Sequence, residues 1–245
     1  MPFRLNEYDQ PVGEPLPDWS PRQPPAAVTL TGAFCRLEPL DAARHAADLY
    51  AAYSSGADGR DWTYLSVGPF GDAQEYRRFA EAAAVGTDPR HYAVIDLGRG
   101  TAVGTLSLMR QDPANGVVEV GNVMFSPLMK RSPISTEAQF LAMRYVFEDL
   151  GYRRYEWKCD SLNSPSRTTA QRLGFTFEGV FRQAVVYKNR SRDTAWFSVV
   201  DGEWPTVEKA FEAWLAPDNF DAQGIQRRSL AEVRTSMASP ASPEQ

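Results

Sequence analysis

The period of the hydrophobic positions changes repeatedly between residues 34 and 215, and each change predicts an element. "FCRLEPL" (34–40) reads as a strand ending at Pro39. Asp41 then caps "DAARHAADLYAAYSS", whose Ala, Leu and Tyr residues recur at helical spacing. "DAQEYRRFAEAAAV" (72–85) is a second helix, with Asp72 as cap and Gly86 as stop. The runs "HYAVIDL", "TAVGTLSLMR" and "GVVEVGNVMFSP" are strand-like and are separated by the turn signals "GRG" and "DPANG", which predicts an antiparallel meander. The longest helix follows, "PISTEAQFLAMRYVFEDLG", with Ile134, Ala138, Leu141 and Tyr145 on one face and Gly151 at its end. "YRRYEWKCD" is a strand and "SPSRTTAQRLG" a short helix. Two more strands, "FTFEGVFRQAVVYK" and "RDTAWFSVVD", flank the turn "NRS", and "PTVEKAFEAWL" closes as a helix with Pro205 in its first turn. Helices that interrupt a mostly antiparallel meander indicate an α+β fold with one local parallel crossover.

The ends differ from this middle. Residues 1–25 hold seven of the 18 prolines, so the arm (1–33) is expected to run extended, with Tyr8 and Trp19 docking it on the body or on a second subunit. The folded domain then covers 34–216. The extension 217–245 ends in "RTSMASPASPEQ", which reads as a disordered tail.

Composition narrows the function classes. A net charge of −5 argues against nucleic acid or an anionic membrane as partner, and suits an amine. Two cysteines, Cys35 and Cys159, make no disulfide framework, and the two histidines, His45 and His91, stand far apart, so no metal site and no Ser-His-Asp triad is expected. No apolar run reaches membrane-spanning length, and the first residues lack the build of a secretory signal, which reads as a soluble cytoplasmic protein.

Chemistry is suggested first by "VEVGNVMFSP", "LMKRS" and "PISTEA", a strand–loop–helix unit. A helix start has unpartnered N–H groups and a positive dipole end, so it attracts anions. Ser132 reads as the N-cap and Pro133 as the first helical residue, leaving the amides of Ile134, Ser135 and Thr136 for a phosphate. The residues equally allow an ordinary capped helix without a ligand.

The stretch "EWKCDSLNSPSRTTAQRLGFTFEGVFR", followed by "RDTAWFSVVDGEWP", resembles the GNAT N-acetyltransferase superfamily and its RimJ/RimL-like branch. The shared elements are Asn163-Ser164-Pro165-Ser166, Arg172-Leu173-Gly174-Phe175 with Glu178-Gly179 and Arg182, and Arg192-Asp193 with Glu203-Trp204. The resemblance spans residues 34 to 215 and implies a GNAT-like mixed, mostly antiparallel sheet flanked by helices. It implies direct transfer of acetyl from acetyl-CoA, as co-substrate and without a metal, to an amine of a protein N-terminus or a small molecule.

On that resemblance the acyl-CoA diphosphate loop falls on Lys130, Arg131, Ser132, Pro133, Ile134, Ser135 and Thr136, with Met124 and Phe125 on the preceding strand. Both family glycines are replaced, by Pro133 and Ser135, so hydroxyls and Lys130 or Arg131 are expected to substitute. Ser166 is implied as the proton donor to the leaving thiolate, and Asn163 as a contact of the pantetheine arm. Either could instead simply cap its helix.

Two carboxylates compete as base. Glu119 lies in the central strand and Glu178 at the branch's recurrent acidic position. The bland alternatives are a solvent-facing Glu119, and a Glu178 paired with Arg182 or another arginine; water alone could also take the proton. Tyr155 and Tyr187 are further candidate donors, with strand packing the default. Cys159 reads as a buried structural thiol, and Glu137 as a complement to the helix dipole. Trp62 and Tyr64 are candidate walls of the acceptor pocket, with core packing the alternative. A non-catalytic acyl-CoA sensor is the competing function, a homodimer is reasonable, and the acceptor itself is not written in the residues.

Overall fold

The computed structural model describes residues 4–238. Within the arm, β1 (Arg4–Leu5) and β2 (Pro11–Val12) pair as a small hairpin. The body is one eight-stranded sheet made of β3 (Leu30–Thr31), β4 (Cys35–Pro39), β5 (Arg90–Asp96), β6 (Thr101–Asp112), β7 (Val117–Phe125), β8 (Arg154–Asp160), β9 (Thr176–Tyr187) and β10 (Arg190–Val200). Their order is β3-β4-β5-β6-β7-β8-β10-β9. Every neighbouring pair is antiparallel except β7 and β8. The α+β class and the single parallel crossover are those the residue pattern predicts.

Helices α1 (Ala42–Ser54) and α2 (Ala73–Ala84) connect β4 to β5, and α3 (Pro133–Arg144) connects β7 to β8. α4 (Ser164–Leu173), α5 (Trp204–Leu215) and α6 (Leu230–Ala238) complete the set. Asp41 accepts from the amides of Ala43 and Arg44, and Asp72 from that of Glu75, so both predicted caps form. The helices sort into two layers because adjacent strand residues point to opposite faces. Val94 joins a core with α3 and α5 that includes Leu106, Val118, Tyr155, Phe197 and Phe211. Its neighbours Ala93 and Ile95 join the other core, with Leu49 and Tyr76 of α1 and α2.

The feature that positions the site is local. β7 and β8 pair only from Val117–Val120 to Arg154–Trp157, and then part. On its other side β7 carries an extra residue: Thr105 faces Met124 while Ser107 faces Gly121, with Asn122 between them at φ +48°. A bulge of this kind bends the strand and raises its twist, turning the last residues of β7 away from β8. Gly121 leaves room there for Met109, whose sulfur would lie 2.2 Å from a Cβ at that position.

Three readings are corrected. The hairpin between β9 and β10 turns on Lys188 and Asn189, both at positive φ, rather than on "NRS"; this two-residue turn matches strand twist. α3 does not run unbroken to Gly151 but passes into a π-turn over Tyr145–Asp149. Arg234–Ala238, read from composition as tail, belongs to α6, and Arg234 donates to the carbonyls of Gln171 and Arg172. The remainder of that tail, 239–245, lies outside the described residues.

The arm docks on the body through Trp19 while Tyr8 stays exposed. Trp19 Nε1 donates to the Ala114 carbonyl at 2.9 Å, and the Arg22 guanidinium stacks 4.4 Å above the Trp19 ring. Further along, Tyr92 and Tyr152 donate to the carbonyls of Ala26 and Gln23.

Candidate active site

Where β7 leaves β8, a cleft of about 1060 Å³ opens between the loop after α1, the start of α3, α4 and the segment after α5. Met124, Phe125, Lys130, Arg131, Ser132, Pro133, Ser135, Thr136, Asn163 and Ser166 all line it, and so do Trp62 and Tyr64. Residues separated by more than 100 positions are thus brought to one space. Ile134 is the exception in the loop: its side chain packs in the core.

The start of α3 is open toward this space. Ser132 occupies the N-cap position with extended φ and Pro133 follows, yet Ser132 makes no side-chain cap bond. Its hydroxyl donates backwards to the Met129 carbonyl at 2.7 Å, and the Ser135 hydroxyl donates to the Ser132 carbonyl at 2.9 Å. Helix geometry directs the Thr136 amide to that same carbonyl, so Thr136 is not free as expected; Ile134 and Ser135 keep their amides for a ligand. Arg131 adopts φ +58°, a backbone state usually left to glycine. An arginine therefore supplies the turn that a glycine-rich loop would make. Lys130 is held by Asp61 at 2.6 Å, which ties the loop to the segment after α1.

Arg172, which the sequence showed only as one letter of a motif, is the strongest electrostatic feature of the cleft. It is half-buried, donates to Thr136 Oγ1 at 3.1 Å, and has no carboxylate partner among the described residues. Burial lowers its pKa from the usual arginine value, but a guanidinium remains charged. A desolvated cation beside an uncapped helix start makes this end of the cleft attractive to an anion. Two buried polar side chains in the same wall, Gln139 and Ser126, have side-chain atoms without hydrogen-bond partners among the described residues.

At the other end, Asn163 caps α4 by accepting from the Ser166 amide at 3.2 Å. Trp157 Nε1 donates to Ser166 Oγ at 3.0 Å. With that lone pair occupied by an indole N–H, the serine hydroxyl keeps its own proton to give. Cys159 lies beside it, and burial raises its thiol pKa, so the sulfur is a neutral, weak acceptor.

Trp62 is buried edge-on against Tyr53 and Phe70, while the Tyr64 hydroxyl reaches the Leu162 carbonyl at 3.2 Å. Their loop is clamped from the β9–β10 hairpin: Lys188 Nζ donates to the carbonyls of Trp62, Val67 and Gly68.

Neither candidate base faces the cleft. Glu178 is gripped by Arg154 through both oxygens and by Ser198 at 2.7 Å, and the Arg154 contact lowers its pKa from the usual carboxylate value. Glu119 is buried on the sheet face opposite Val118 and Val120, between Lys158 at 3.0 Å and Arg110 at 3.1 Å. Burial raises its pKa against the pull of those two cations. Tyr155 sits in the core and Tyr187 donates to Asp160 at 2.8 Å, so neither phenol lines the cleft. Among the described residues, no group of His, Cys, Asp and Glu could hold a metal, and no helix is long and apolar enough to cross a membrane.

One wall was not foreseen at all. Trp214 at the end of α5, with Phe220, Gly224, Gln226 and Ser229 beyond it, closes the cleft. Asn219 organises that segment, donating to the carbonyls of Trp214 and Arg228.

A mixed sheet opened between its two parallel strands, with an uncapped helix start at the opening, gives a deep cleft with anion-attracting amides at one end. Residues 35–176 match the family model "Acetyltransferase (GNAT) domain". The chain belongs to the GNAT acetyltransferase family and is an N-acetyltransferase. It is 49% identical to a GCN5-related N-acetyltransferase from Brucella melitensis, with 90% of this chain and all of that chain covered and a TM-score of 0.88. A GNAT-family protein from Chromobacterium violaceum is 38% identical over 80% of this chain and 98% of that one, with a TM-score of 0.74. RimL, a ribosomal L7/L12 α-N-protein acetyltransferase solved with coenzyme A, shares the fold at 17% identity, covering 71% and 99% of the chains with a TM-score of 0.58. No curated protein matches the chain.

Proposed function

We propose that this chain acetylates the α-amine of a peptide or protein N-terminus, holding acetyl-CoA in the cleft between β7 and α4. What carries the reading is the convergence of an uncapped α3 start, an unpaired Arg172 and the hydroxyl of Ser166 on one space. Acetyl-CoA supplies an activated thioester, a diphosphate and a thiolate that must leave. The amides of Ile134 and Ser135 and the Arg172 guanidinium hold the phosphates. Buried Gln139, whose side-chain amide has no partner among the described residues, is the group of this wall suited to a hydrogen bond with the cofactor arm. Gly121–Phe125, paired with β6 alone, offers strand amides to the carbonyl oxygen as it gains charge. Ser166 delivers its proton to the departing sulfur.

The charge of the cleft wall supports the α-amine as acceptor. Asp61 is the one carboxylate in its wall among the described residues, and Lys130 occupies it. An amine must lose its proton before attack, and without a protein base that loss is easiest for an α-amine, with a pKa of about 7.7–8.0 against about 10.4 for lysine. The rate with an unblocked peptide is therefore expected to rise with pH and level off above about 8. A peptide whose only amine is a lysine side chain should react more slowly by at least about tenfold at pH 7.5. Equal or reversed rates would overturn the α-amine assignment. The phosphate assignment has its own test: Arg172→Gln is expected to weaken acetyl-CoA binding about 10- to 100-fold by titration calorimetry, the loss of one charge-assisted contact. Unchanged affinity would remove Arg172 from the site.

A further inference from the structure

A second cavity, of about 320 Å³, adjoins the cleft along β7. Its floor is Asn122 and Met124, and it shares Met124 and Leu65 with the cleft as common walls. It therefore borders the strand segment at which the sheet opens. α2 contributes Phe79, Ala82 and Ala83, and Val67 and Pro89 add to a largely apolar rim that includes Ser66 and no charged side chain.

Inside this apolar setting stands His91. It is 7% exposed, its ring makes no hydrogen bond among the described residues, and Nδ1 is buried without a partner. Burial lowers its pKa, so the imidazole is neutral and offers one donor and one acceptor. The mechanism does not use it, and a hydrocarbon side chain would fill the position without stranding a polar atom. Asn122 adds a second free group: its amide nitrogen donates to Ser107 Oγ at 3.0 Å, while its oxygen has no partner among the described residues. The left-handed backbone of Asn122 in the bulge places that side chain at the cavity.

We propose that this cavity is the acceptor-side pocket, taking an uncharged, largely apolar group that carries one hydrogen-bonding atom, with His91 as the specificity-determining contact. The inference rests on the acetyl-transfer reading above. The pocket excludes charged groups because nothing in its wall would compensate their desolvation. It discriminates among uncharged ones because an acceptor lacking the hydrogen-bonding atom leaves the imidazole unpaired. Ala82 and Ala83 set its depth, since any larger residue on that face of α2 takes up the space.

The probes are tyramine, phenethylamine and ethylamine, each titrated by calorimetry into the full chain saturated with CoA. Tyramine should bind about tenfold or more tighter than ethylamine, with phenethylamine between them. Ala83→Phe should bring all three to the ethylamine value. His91→Leu should melt no lower than the parent and should erase the difference between tyramine and phenethylamine alone. Indistinguishable binding of the three amines to the parent, or an unchanged order in Ala83→Phe, overturns the proposal. Acetyl-CoA stabilisation of the parent is read in parallel: its absence sinks the acetyl-transfer reading, whereas its presence with a failed amine series sinks only the pocket.

Discussion

Ser166→Ala is expected to lower kcat about 100-fold near pH 7 while acetyl-CoA still stabilises the variant as it does the parent. The expectation follows from what the hydroxyl touches. Its oxygen accepts the Trp157 indole N–H, and the neighbouring thiol is neutral, so its proton has no strong acceptor until a thiolate departs into the cleft. A thiol ordinarily titrates near about 8.5, so a leaving thiolate benefits from a donor at pH 7 and gains little from one above pH 9. The deficit of Ser166→Ala should therefore shrink as pH rises, which a merely structural role would not produce. Binding is read separately: acetyl-CoA at a hundred times its dissociation constant adds about 2.7 kcal/mol to the stability of any chain that binds it natively. Losing the indole's partner costs about 1 kcal/mol, which lowers both melting curves and leaves their separation intact. Turnover within threefold of the parent across that pH range would take the proton donor out of α4.

The contrast between Ser166 and the two carboxylates shows which parts of the site are legible in a chain. Ser166 and the start of α3 are fixed by local grammar: a cap, a proline, a short helix after a strand. Such signals act over four or five residues, and the residues name themselves. Glu178 and Glu119 also stood at suggestive positions, but whether a carboxylate is free depends on which cations the sheet places opposite it. Arg154 lies 24 residues from Glu178 and on a strand that is not its neighbour in the sheet. Lys158 meets Glu119 only because β7 and β8 run parallel in the register Glu119 to Glu156. Arg172 is the converse case. It reads as one more charged residue on a short helix, and only the packing of α4 beside α3 reveals that no acid comes to it. The wall after α5 left less trace still, since "APDNFDAQGIQRRS" has neither helical nor strand period; Asn219, with a buried side-chain amide holding two carbonyls, is what shapes it.

Glu137→Ala is expected to be the most destabilising single change near the site, by about 3 kcal/mol or more. The sequence suggested that Glu137 complements the dipole of α3, as an acid in a first turn commonly does. Its carboxylate instead accepts three amides, those of Ala33, Phe34 and Cys35, each at 2.7 Å. Glu137 is 3% exposed, and Gly32 has no room for a side chain, because a Cβ there would lie 2.3 Å from the carboxylate carbon. Truncation strands all three donors, and Cys35, fully buried, has no route to water. Each stranded donor costs about 1–3 kcal/mol, and solvent reaching the more exposed Ala33 reduces the sum. In a chain of this size, with about 2–4 °C lost per kcal/mol, the melting temperature should fall by about 6 °C or more. Gly32→Val should act in the same direction by displacing the carboxylate. Because this turn joins β3 and β4 to the helix whose first amides are proposed to hold the diphosphate, acetyl-CoA affinity should fall with stability. A variant that melts with the parent and loses only turnover would make Glu137 part of the chemistry, and the turn an incidental neighbour.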